Sequence, residues 1–133
     1  MEKDEFIQCL DNITNGDEDT QSKCRGAIMD LRKNDAISFF ELVFKVFEDE
    51  SPSFSRIILC LSAIRDMFIP TNDFPLSSMT KTWFSEPLTE IRVRLKNFVI
   101  TFVHDEEIAI RNVSASVFAL IFALERKKLM NKL

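Results

Sequence analysis

The chain has few of the residues that build turns, catalytic centres and metal sites. Its 133 residues include only two glycines and four prolines, too few for a collagen-like repeat or a turn-rich all-β fold. With 46% hydrophobic residues it is not composed like a disordered segment. The single histidine, His104, sits beside Asp105 at a turn between helical segments, where it reads as a capping or solvated side chain rather than a general base. Cys9, Cys24 and Cys60 form an odd set with no C-x-x-C pair. That suits reduced thiols on apolar helix faces and an intracellular compartment, not a disulfide framework or a zinc site. There is no G-x-x-x-x-G-K-[ST], no G-x-G-x-x-G, no H-E-x-x-H and no serine elbow, so the expectation is a non-enzyme with no cofactor and no metal. The opening Met-Glu-Lys-Asp-Glu lacks the basic start and apolar stretch of a signal peptide. The longest unbroken apolar run, Val117 to Leu124, is eight residues against the ~20 that span a bilayer, so no membrane insertion is expected. A net charge of -4 and a pI near 5.1 give no electrostatic basis for binding nucleic acid.

What the chain does have is phenylalanine, 13 in all, and apolar residues at helical spacing. Ile57, Leu61, Ile64 and Phe68 recur at intervals of four, three and four, with Ile58 and Met67 widening the stripe. This is the pattern of a helix with a broad buried face. Ser62, Arg65 and Asp66 fall away from that stripe and form a polar strip. Before it, Asp4 to Ile13 reads as a short helix stopped by Asn15-Gly16, residues that tolerate a left-handed backbone. Asp17 to about Lys33 reads as a second helix, with Gly26 implying a close backbone approach. Asp35 to Phe47 is a third. After Pro70 to Pro75, Ser77 to Phe84 reads as a short helical turn ending in Trp83-Phe84. Pro87 opens a surface helix with Leu88, Ile91, Leu95, Phe98 and Phe102 on one side. The last helix, from Asp105 to about Lys128, is apolar all round between Val117 and Leu124 and is expected to be buried on both sides, which implies either a self-association face or further helices after it.

The expected fold class is therefore all-α. Six helices group into three antiparallel hairpins over roughly 4–34, 35–69 and 87–129, with an insertion at 70–86, in one domain spanning 1–133. A spacing of ~40 residues suggests a solenoid of stacked helical hairpins that continues past the last residue. Three acidic clusters, Asp17-Glu18-Asp19, Glu48-Asp49-Glu50 and Asp105-Glu106-Glu107, each fall at a turn inside a hairpin. Stacking is expected to align them into an acidic edge able to hold a basic or helical peptide, which would make the chain an adaptor or scaffold segment.

The order of residues also resembles the N-terminal HEAT repeats of the importin-beta (karyopherin-beta) family of nuclear transport receptors. The resemblance runs through Glu5-Phe6 and Leu10, then Leu31 and Asn34, then Arg56-Ile57 leading to Ile64-Arg65-Asp66, which is similar to the family's Leu-Lys-Asn. It continues through Trp83-Phe84, Ile91 to Leu95, and Ile110, Asn112, Ala115 and Glu125. It implies a HEAT-repeat α-α superhelix whose second helices face a concave surface that receives the small GTPase Ran in its GTP form. It also implies nuclear protein import, residence in cytoplasm, nucleus and nuclear pore, and other transport factors bound through repeats further along. Carried onto this chain, the Ran contacts are Arg25, Ser62, Arg65, Asp66, Arg111 and Asn112. Arg65 keeps the charge of a family lysine, whereas Asp66 replaces an asparagine and cannot donate an N–H.

Overall fold

In the computed structural model, which describes residues 1–131, every regular element is helical. In chain order they are α1 (Lys3–Asn15), α2 (Glu18–Asn34), α3 (Ala36–Phe47), α4 (Phe54–Phe68), α5 (Leu76–Trp83), a 3-10 turn (Glu86–Leu88), α6 (Thr89–Phe102) and α7 (Ile108–Met130). The chain divides into two compact units, Met1–Cys60 and Leu61–Leu133, so the division runs through α4 rather than between hairpins.

In the first unit, α1 and α2 form an antiparallel hairpin and α3 packs on both. The Asp17 side chain accepts the Thr20 N–H at 2.8 Å and starts α2. Asp35 caps α3 through the Ser38 N–H at 3.2 Å and the Ser38 hydroxyl at 2.7 Å. The stop after α1 is not left-handed: Gly16 lies at φ -74°, ψ 168°, and no described residue has positive φ. Gly16 is required by space instead, since a Cβ there would lie 2.6 Å from the Asn12 carbonyl oxygen that its own N–H bonds. Gly26, in contrast, is exposed with nothing within 4 Å of its Cβ position, so no close approach explains it.

The helix buried most fully is α3, not α7. Phe39, Phe40, Leu42, Val43, Phe44, Val46 and Phe47 are all buried. Phe6 of α1 meets Phe39 edge-on at 6.2 Å, and Phe39 meets Phe40 at 5.5 Å, geometries that add to the ~1.5–3 kcal/mol each ring gains from burial. Two ion pairs fasten the α3–α4 connection along α1. Lys3 Nζ lies 2.7 Å from Asp49 Oδ1, and Arg56 donates Nε and Nη2 to the two oxygens of Asp11 at 2.9 and 2.8 Å.

In the second unit, Leu61, Ile64, Met67 and Phe68 of α4 are buried, and Phe68 meets Trp83 of α5 edge-on at 5.1 Å. Trp83 is wholly buried in this core. α6 packs on α7. α7 begins at Ile108, so the acids at 105–107 precede it. Only one face of α7 is covered: Ile110, Val113, Val117, Ile121 and Leu124 are buried, while Phe118 and Phe122 are exposed. This corrects the expectation of all-round burial. α7 is long and apolar enough to cross a membrane by length and composition, with a mean hydropathy of 1.6 over an 18-residue stretch, but its inward face is the core of this unit.

Candidate functional site

The polar strip of α4 is built by the helix's own periodicity. Ser53 Oγ accepts the Arg56 N–H at 3.2 Å and opens the helix just after Pro52. From there Ile57, Leu61, Ile64 and Phe68 rotate inward, which fixes Ser62, Arg65 and Asp66 on the opposite flank. Arg65 Nε lies 3.5 Å from Asp66 Oδ1, a charge contact without hydrogen-bond geometry, with the side chains 36% and 55% exposed. A pair this exposed contributes ~0–1 kcal/mol; Arg65 Nε is itself shielded from solvent without a hydrogen bond, so the group left to a partner is the exposed remainder of the guanidinium together with the Asp66 carboxylate.

Arg111 on α7 is committed differently. Its Nη1 donates to the carbonyls of Asp105 and Glu106 at 3.0 and 3.3 Å and so closes the α6–α7 turn. Its neighbour Asn112 is exposed. Arg25, in the first unit, is exposed on α2 beside Gly26, whereas the arginine that α2 buries is Arg32, with Nη2 3.6 Å from Met29 Sδ. Arg65 and Asp66 thus come together, while Arg111 bonds only its own turn.

The acidic clusters do work within their own units. Asp17 caps α2, and the Thr20 hydrogen bonds hold its carboxyl below the usual carboxylate range. Glu18 is exposed in the first turn of α2, where its charge favours the helix dipole, and Asp19 lies 3.7 Å from Lys23 one turn on. Glu48 ends α3, Asp49 is held by Lys3, and Glu50 is exposed. Asp49 is therefore tied to the Lys3 end of α1 and Asp17 lies past its other end, on a helix about 20 Å long. These two clusters do not meet side by side as an edge. Asp105 Oδ1 accepts the Glu107 N–H at 2.9 Å, while Glu106 and Glu107 are exposed.

A polar network that the sequence reading does not find joins α5, α6 and α7. Glu125 accepts from Trp83 Nε1 at 3.2 Å with one oxygen and lies 2.6 Å from Lys96 Nζ with the other. Arg92 Nη1 donates to the Trp83 and Ser85 carbonyls at 2.6 and 2.9 Å, and Lys128 stands 4.2 Å over the Phe84 ring. The only signal available was that Trp83 and Glu125 both carry the family resemblance. The cysteines are free thiols. Burial, with a hydrogen bond to the neighbouring Cys24 thiol, pushes Cys9 up to about 11, and burial raises Cys60 as well. Thiols raised in this way are poor nucleophiles at neutral pH. Among the described residues no cluster of His, Cys, Asp and Glu is placed to hold a metal. Compared with known proteins, the chain matches no family model, no curated protein and no solved structure.

Proposed function

We propose that this chain is a segment of a HEAT-repeat α-solenoid of the importin-beta kind, which binds the small GTPase Ran in its GTP form and works in protein transport between cytoplasm and nucleus. The observation that carries the reading is α4. Its apolar face is buried at Ile57, Leu61, Ile64 and Phe68 while Ser62, Arg65 and Asp66 keep access to solvent. A helix so divided presents a hydrophilic flank to a protein ligand from a fixed support. The α1–α2 and α6–α7 hairpins support the solenoid. So does the hydrogen bond between Trp83 and Glu125, positions 42 residues apart that both carry the resemblance.

Arg65 contributes a planar fork that fits an acidic side chain on the GTPase, and Asp66 accepts from a donor there. Binding is measured with the GTPase loaded with GDP or with a slowly hydrolysed GTP analogue. Retention in the GTP state alone is expected, and Arg65→Glu weakens it roughly tenfold or more, about 1.4 kcal/mol. Equal binding in both states, or none in either, would refute the proposal.

A further inference from the structure

The α1–α2 hairpin brings two thiols together. Cys9 lies seven residues before Gly16 and Cys24 seven residues after Asp17, so each stands about 10 Å along its helix from the turn, on helices that run antiparallel. Cys9 shares a face of α1 with Phe6, three residues before it, and Ile13, four after it, while Cys24 shares a face of α2 with Ile28; all three apolar side chains are buried. The two faces meet in one seam, where the Cys9 and Cys24 thiols are hydrogen-bonded to each other. Cys24 is buried at 8% exposure, whereas Cys9 is only partly covered. Cys60, the third thiol, is buried on α4 at 1%.

This asymmetry sets an order of reaction. A reagent in solvent reaches Cys9 and not Cys24. The Cys9 thiolate attacks one sulfur of a small-molecule disulfide, and the other sulfur leaves as a thiolate. Burial makes that first step slow. The second step needs no encounter, because Cys24 already lies beside the Cys9 sulfur. It loses its proton to water, attacks that sulfur and expels the second small thiolate. The two protein thiols give up two electrons and two protons, and the small disulfide becomes two thiols. Sulfurs already in hydrogen-bond contact have only to close to the ~2.05 Å of a covalent bond, a shift shared by two helices joined at one turn.

We propose that Cys9 and Cys24 are a reversible disulfide site, a dithiol that a small-molecule disulfide of the glutathione type oxidises to clamp the α1–α2 hairpin. The inference does not rest on the GTPase reading. The full chain is brought to equilibrium in buffers of reduced and oxidised glutathione, then unfolded and treated with N-ethylmaleimide. The oxidised chain should have lost two hydrogens, take up the label at Cys60 alone, show Cys9 joined to Cys24 on peptide mapping, and return to three thiols with dithiothreitol. Its urea midpoint should rise by at least ~0.5 M, as expected for a closed loop of this length. Half-oxidation of the folded chain should need a buffer at least ~tenfold more reducing than half-oxidation in concentrated urea. Cys24→Ala should stop at one glutathionyl group on Cys9, and Cys9→Ala should stay reduced while folded. Three free thiols in the folded chain at every buffer ratio overturn the proposal, as does glutathione retained on Cys9 of the wild-type chain. So do a bond to Cys60 and an equilibrium no more favourable folded than in urea.

Discussion

Glu125 is where the packing of the second unit can be tested most sharply, because one carboxylate serves two partners of different kinds. One oxygen faces the indole N–H of a wholly buried Trp83 at 3.2 Å. The other lies 2.6 Å from Lys96, in a pair with side chains 39% and 28% exposed. Glu125→Leu removes the acceptor facing the buried indole, a loss of ~1–3 kcal/mol, and a partly exposed ion pair of ~0.2–1 kcal/mol. The expected total is about 2–3 kcal/mol. Glu125→Gln keeps an acceptor for the indole and gives up only the charge, so it should cost under ~1 kcal/mol. In a Trp83→Phe background there is no indole donor to strand, and Glu125→Leu should then cost no more than the ion pair, leaving a coupling of about 1.5 kcal/mol. Urea unfolding followed by far-ultraviolet circular dichroism measures all four variants alike. In the wild-type chain, emission from Trp83, its sole tryptophan, reports on the same unit. A cost below ~0.5 kcal/mol for Glu125→Leu would refute the network. So would an unchanged cost in the Trp83→Phe background.

The two glycines should respond in opposite directions. Gly26→Ala meets open space within α2 and should stabilise by ~0.5–1 kcal/mol. Gly16→Ala forces a Cβ to 2.6 Å from the Asn12 carbonyl and should destabilise by ~1–3 kcal/mol, both read from urea midpoints. The third prediction concerns acid. The Arg56 hydrogen bonds hold the Asp11 carboxyl below its ordinary value, so the bridge stabilises fully above about pH 3.9 and is lost as pH falls through the lowered folded value. Arg56→Met should therefore cost ~1 kcal/mol near neutral pH, limited by solvent screening, and almost nothing below pH ~2. A cost that is the same at both pH values would sink the bridge as its source.

Where the sequence was legible, local geometry decides the outcome. The spacing of Ile57, Leu61, Ile64 and Phe68 fixes one face of α4 whatever surrounds it, and all four are buried. Asp17 and Pro52-Ser53 likewise mark their helix starts with side chains a few residues from the N–H groups they serve. Burial is another matter, because it depends on how many neighbours a helix acquires. Val117 to Leu124 is the longest apolar run, yet Phe118 and Phe122 face solvent. The shorter α3 has α1 and α2 against it and is buried nearly all round. The pairs Lys3–Asp49 and Arg56–Asp11 join residues 46 and 45 positions apart. A sequence gives the charges of such pairs but not the partner. Gly26 departs from expectation for a related reason: a glycine in a helix permits close approach, and only the neighbours show whether anything approaches.

The site candidates differ in what it costs them to act, and this ranks them. Arg65 is half-exposed and held only by a 3.5 Å contact with its own neighbour, so turning toward a protein ligand forfeits little. Arg111 must first release two backbone carbonyls that close the α6–α7 turn, a loss of about 1.5–3 kcal/mol for hydrogen bonds from a charged group. The proposed GTPase contact thus belongs chiefly to α4.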